Sequence, residues 1–308
     1  ITITFARFGS VLNDWTQPYI VSSSGSVAVG LWVGFVLCVA SFGALLILCY
    51  LDSKRDKAHG EYRDTLDPVR CSDIKFFDRR FWLLSVNCFF VYICVFPFNN
   101  IASAMLQERF GMSPEVGGFI MVTAKQSITY VTSALLGPFI GKWVDSHGHR
   151  AQLIVASSAI ITVAQISFVL IPDCSNCYWG VFGFCFLGLG VAIYASVIWP
   201  SVPYTVPEQS TGTAFGVVTS FQNTGMFIGP LFVGVIIDST TLQHGYFWVS
   251  ITLALCGVLG LITGLALWGV DYSFGNSLSY PNPLIIRKRP SSFSGNSSPV
   301  SKEPAAIN

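Results

Sequence analysis

Charge is scarce in this sequence. Only 11% of its 308 residues are Asp, Glu, Lys or Arg, less than half the ~25% typical of soluble domains. Hydrophobic residues make up 52%, and mean hydropathy is +0.59. A water-soluble globule is excluded, and lipid is the solvent. All four histidines, His59, His147, His149 and His244, fall outside the apolar stretches, and no Asp or Glu after residue 52 falls in the middle of one. Proton-coupled carriers bury such groups along their path, so no relay is legible in these residues. No Ser/His/Asp, Cys/His or metal-ligand cluster converges within an apolar stretch, which speaks against an enzyme and against any bound cofactor or metal. The nine cysteines are scattered, so a disulfide framework is not the design. Cys174 and Cys177 share a short loop and read either as a local bridge or as two free thiols. A net charge of +1 points to no nucleic-acid partner.

What is present is length in apolar runs. A helix needs about 20 apolar residues to cross the hydrocarbon core, and seven stretches qualify: 26–51, 81–106, 116–140, 151–172, 179–204, 212–237 and 246–270. The first residues, Ile1-Thr-Ile-Thr-Phe5-Ala-Arg7, carry no Met and no basic leader, and are expected to be the interior of a longer chain.

Basic residues orient the spans, because Lys and Arg near span ends accumulate on the cytoplasmic side. Of the 17, fourteen fall in segment 52–80, the turn at 141–150 and the tail, all on one side when crossings alternate. Arg109 stands alone on the other side, and Arg7 and Lys125 lie at membrane depth. The expectation is a cytoplasmic 52–80 and C-terminus. Segment 52–80 reads as a solvated linker. Residues 271–308, rich in Ser, Pro, Asn and Gly, read as a disordered cytoplasmic tail, where the Asn296-Ser-Ser sequon never meets the lumen.

The turn Gly141-Lys-Trp-Val-Asp145-Ser-His-Gly148-His-Arg150 has the chemistry of a gate. Gly141 allows two helices to approach closely, and Gly148 permits a reversal at positive φ. Asp145 can sit at a helix N-terminus or pair with Arg150, in a contact made in one state and broken in another. A basic turn serving only orientation is the plainer reading. The pattern G-x-x-x-D-x-x-G-x-R resembles the signature loop of the major facilitator superfamily. The resemblance implies an all-α membrane fold in which this is the second such loop. The complete spans are then helices 6 to 12, residues 1–22 a remnant of helix 5, and the division is 1–51 remnant of the first bundle, 52–80 linker, 81–270 six-helix second bundle, 271–308 tail.

Larger pieces carry a closer resemblance: Phe5-Ala-Arg7-Phe-Gly9-Ser10, Tyr92 with Val95-Phe96-Pro97-Phe98, Tyr130-Val-Thr-Ser133, Trp199-Pro200, Val206-Pro-Glu208, Gly212-Thr-Ala-Phe-Gly216 and Gln222-Asn223. Together they are similar to the lysosomal dipeptide carriers of that superfamily. This implies a dipeptide substrate exported from a lysosome or vacuole to the cytosol by alternating access, as a uniporter, with a glycosylated lysosomal membrane protein as accessory partner. Ion coupling residing in the upstream half is the other option.

An ionisable side chain buried unpaired in a bilayer costs about 2.5 kcal/mol or more, so Arg7 is a site candidate. Its planar fork suits a peptide carboxylate, and the resemblance implies that role. Snorkelling, or pairing with Asp14, is the alternative. Lys125 either faces the cavity, altering its charge preference, or reaches the lumenal interface. Asn99 and Asn100 follow Pro97, where a bent, half-broken helix could expose carbonyls to a cavity; otherwise their amides join neighbouring helices. Tyr92, Tyr130, Trp199, Gln222 and Asn223 line the cavity by resemblance or pack between helices. The pairs Gly212/Gly216, Gly225/Gly229 and Gly260/Gly264 mark close helix packing, while Gly188 and Gly190 lie inside a span, a context that excludes a dinucleotide loop. Two other classes compete with a carrier: a seven-helix receptor, opposed by the signature loop, and a non-transporting membrane subunit.

Overall fold

The computed structural model describes residues 19–59, 77–109, 135–171, 179–207, 210–240 and 242–280, with isolated positions among 9–17 and at 74–75. The apolar runs form helices because a chain in lipid must satisfy its backbone internally. In order they are α1 (Val27–His59), α2 (Arg79–Glu108), α3 (135–147), α4 (Arg150–Leu170), α5 (Trp179–Ser201), α6 (Thr211–Ser239) and α7 (Leu242–Ser273), with short 3₁₀ turns at Val202–Tyr204 and Ser277–Ser279. Among the described residues, six of these are long and apolar enough to cross a membrane: all but α3.

α2 packs along α7 and α6, and α4 along α5 and α7, giving a lateral order α6–α2–α7–α4–α5. Small residues set the approach of α6 to α2: a Cβ on Gly229 would lie 2.2 Å from Pro97 Cγ, and one on Gly225 2.8 Å from Phe89 O. A larger side chain at either position would force the helices apart. Gly260 and Gly264 seat likewise against α2 and α4, but Gly212 and Gly216 have nothing within 4 Å among the described residues. Among the described residues, close packing therefore holds for two of the three expected pairs. Phe98, Phe168 and Phe184 join α2, α4 and α5, their ring centroids 4.6 to 5.4 Å apart.

α1 contrasts with this bundle. Trp32 is 66% and Tyr50 68% exposed, and Gln17 Nε2 donates to Gly30 O at 3.3 Å, tying the preceding segment back onto α1.

Three boundaries differ from the expectation. α1 continues to His59, into the segment read as linker, and α2 begins at Arg79. Residues 271–280 are not a disordered tail: Asp271 closes the last turns of α7, and 277–279 form a turn whose Leu278 is fully buried. Asp271 orders them by accepting from the Asn276 and Leu278 N–H groups and from Ser277 Oγ. Arg7, Lys125, Tyr130, Cys174, Cys177, most of the linker and the tail beyond 280 lie outside the described residues.

Candidate functional site: the signature loop and the α2–α5 face

α2 carries a polar stripe through an apolar helix, and each buried polar group needs a partner in so dry a setting. Asn87, fully buried, donates through Nδ2 to Gly260 O at 2.7 Å and to Thr263 Oγ1 at 3.3 Å. It accepts from Tyr194 OH at 2.8 Å. This knot fastens α2 to α7 and α5 and fixes the Tyr194 ring. Tyr92 lies next to it, edge-on to Tyr194 at 6.2 Å and stacked on Phe96 at 5.2 Å. The two tyrosines, with Val91, Val95, Phe96, Val191 and Ala195, line a shallow, largely apolar recess between α2 and α5. Tyr92 is thus placed at a recess, while Asn87 and Tyr194, which hold it, escaped the sequence reading. Their signal would have been polar residues at buried helical spacing.

Asn99 is buried and Asn100 exposed. The helix is not broken there, since α2 runs continuously through Pro97, whose ring fills the space left by Gly229. Of the two readings for this stretch, the half-broken helix is not the one found. Trp199, half-buried, stacks on Phe215 at 6.4 Å and 22°, joining α5 to α6. Gln222 is half-buried and Asn223 exposed on α6.

The signature loop is built at the end of α3. Asp145 lies in its last turn, not at a helix N-terminus, and of the two options read for it the pair with Arg150 is the one found: Oδ1 is 3.7 Å from Nη2. Gly148 adopts φ +76 and His149 φ +56, reversing the chain so that α4 starts at Arg150. Positive φ at Gly148 is the conformation L side chains avoid, and a Cβ there would also lie 2.2 Å from Ser279 O. Gly141 has no atom within 4 Å that a Cβ would meet, so the close approach expected at it is not made among the described residues.

Arg150 is fully buried. Its Nη1 donates to Tyr280 O at 2.8 Å, and its Cζ lies 4.3 Å from the centroid of the Tyr204 ring. Among the described residues Nε and Nη2 have no hydrogen-bond partner. The end of α3 and the connections after α5 and α7 therefore converge on one guanidinium. At the other end of α4, Arg109 sends Nη1 to Phe168 O and Nη2 to Ile171 O, both at 2.7 Å. Neither Tyr204 nor these carbonyls could be read from a motif, because the contacts span tens of residues. Among the described residues no three His, Cys, Asp or Glu gather as a metal site.

The chain is similar over 91% of its length to proteins described as lysosomal dipeptide transporter MFSD1: 29% identical over 290 residues in Bos taurus, 29% over 291 in Homo sapiens and 30% over 291 in Pongo abelii. It spans 59% of the length of those relatives. The sequence pattern of the Major Facilitator Superfamily matches residues 84–294, covering α2 to α7, the recess and the signature loop, and this multi-pass membrane chain belongs to that superfamily.

Proposed function

We propose that the protein containing this chain exports dipeptides from the lumen of a lysosome or vacuole to the cytosol by alternating access, as a uniporter. The observation that carries this reading is the similarity, over nine-tenths of the chain, to proteins that bear the name lysosomal dipeptide transporter. The geometry is compatible with it. In this reading the bundle α2–α7 is one half of the carrier, fastened by the Asn87 knot, and the α2–α5 recess is a surface on which a small solute could rest. Arg150 and Asp145 form a pair loose enough to be remade between states.

The division into bundle remnant, linker, second bundle and tail belongs to this proposal, as does the orientation with Arg150 on the cytoplasmic side, supported by the asymmetry of basic residues. Arg7 then holds the substrate carboxylate from the other half of the carrier, and Tyr92, Asn99, Asn100, Tyr130, Trp199, Gln222 and Asn223 line the path. A glycosylated lysosomal membrane protein is the proposed accessory partner.

Proteoliposomes containing the complete carrier and loaded with a labelled dipeptide test the reading. Saturable efflux without a proton gradient, reduced by Arg7→Gln, is the expected result. Absence of saturable flux overturns the substrate, and flux abolished by collapsing the proton gradient overturns the uniport.

A further inference from the structure

Beyond Ser273 the chain is turned back on the bundle by Gly275 and Asn276, both at positive φ. Four acceptances close that turn on Asp271: its carbonyl takes the Phe274 N–H at 3.1 Å and the Asn276 N–H at 2.8 Å, and its Oδ1 takes Leu278 N–H and Ser277 Oγ at 3.3 Å each. Arg80, at the start of α2, donates to Ser277 Oγ and lies 3.6 Å from Asp271 Oδ1. Leu278 is fully buried. The two carbonyls that follow face the signature loop: Ser279 O accepts from His149 N–H at 3.3 Å, and Tyr280 O from Arg150 at 2.8 Å.

We infer that residues 274–280 are a strap that positions Arg150, making the C-terminal turn a working part of the gate at this end of the molecule. The inference rests on the carrier reading. Its physical basis is the poor site Arg150 otherwise occupies. A cation at a helix N-terminus is opposed by the helix dipole, two of its donors make no hydrogen bond among the described residues, and Asp145 stands at 3.7 Å, beyond a normal hydrogen bond. Among the described residues, the Tyr280 carbonyl supplies the one hydrogen bond to the guanidinium. Asp145 is 43% exposed and its Oδ1 meets the buried guanidinium at 3.7 Å, so the strap sets Arg150 and Arg150 sets Asp145. Gly148 is part of the same device, because no side chain fits beneath Ser279 O.

The test uses the complete carrier with its native cysteines replaced and a single cysteine placed in the recess, Ala195→Cys. An impermeant maleimide applied from the Arg150 side reads how often that end opens, and it needs no substrate. Leu278→Asp ejects the anchor without touching a helix and is expected to raise the labelling rate about fivefold, while Leu278→Met leaves it unchanged. Arg150→Ala raises it equally, and the double variant raises it no further, because both act through one contact. Amide exchange at His149 reports that the strap has been released. If Leu278→Asp does not accumulate as folded protein, a chain ending at Asn276 takes its place. An unchanged labelling rate with the His149 amide freed, or effects of Leu278→Asp and Arg150→Ala that multiply, overturns the inference. A positive result here without dipeptide efflux would overturn the substrate reading alone.

Discussion

Arg109 and Arg150 stand at opposite ends of α4, and both are hidden, at 5% and 0% exposure. They are held in opposite ways. Arg109 reaches the C-terminal end, where the helix dipole favours a cation and the last carbonyls lack intrahelical partners, and it satisfies two of them at 2.7 Å. Arg150 lies at the N-terminal end, where the dipole opposes it, and relies on a strap carbonyl, an aromatic face and a carboxylate too far for a normal hydrogen bond. A cation that donates twice at 2.7 Å to backbone carbonyls is a fixed joint. One held by three separate segments, with donors to spare, can be rearranged at little cost. The difference locates rigidity at one end of the bundle and adjustability at the other.

Removing the fixed joint has the largest expected effect. Arg109→Met strips α4 of its terminal partners and leaves Phe168 O and Ile171 O unsatisfied, with an expected loss of about 3 kcal/mol. Thermal unfolding of the purified carrier in detergent measures it. Activity per folded molecule is expected to stay constant, since the joint is structural. A fall in turnover without a fall in melting temperature would show that the two ends are alike after all.

The adjustable end responds differently. Asp145→Asn keeps the shape and removes the charge that faces Arg150. Because Asp145 is 43% exposed, the stability change is expected to stay below about 1 kcal/mol. Turnover, however, is expected to fall about fivefold, with the substrate concentration for half-maximal flux little changed. Initial-rate efflux across a range of dipeptide concentrations separates the two quantities.

The contrast also explains what could be read in advance. Apolar runs of 20 or more residues announce helices whatever packs beside them, so α2 and α4–α7 were legible to within a few residues. The pair Asp145–Arg150 was legible because both members lie in one short motif. Arg109 read only as an orientation marker, since its partners are carbonyls about sixty residues away, and carbonyls carry no sequence signal. The strap was misread as a disordered tail for the same reason. Gly275, Asn276, Ser277 and Ser279 have a disordered composition, and only the buried Asp271, one acidic residue at the end of an apolar run, hinted that something had to pair with it. Asn87 and Tyr194 were passed over because a single amide or phenol in a span has no pattern, whereas in three dimensions each completes the other's hydrogen bonding.

The smallest expected effect isolates the aromatic part of Arg150's surroundings. Tyr204 ends the 3₁₀ turn after α5, and its ring lies 4.3 Å from the guanidinium carbon. Tyr204→Leu keeps the bulk and removes the negative ring face, which is expected to cost about 0.5–1 kcal/mol, while Tyr204→Phe retains the face and should be close to neutral. If the Leu variant is as stable as the Phe variant, the ring contributes only bulk, and Arg150 is held by the strap and Asp145 without it. If instead both lose stability equally, the hydroxyl is what matters. The expected split between Leu and Phe distinguishes a cation resting on a π face from one merely packed beside a side chain, and it would complete the account of why this arginine, unlike Arg109, is held by contacts weak enough to be exchanged.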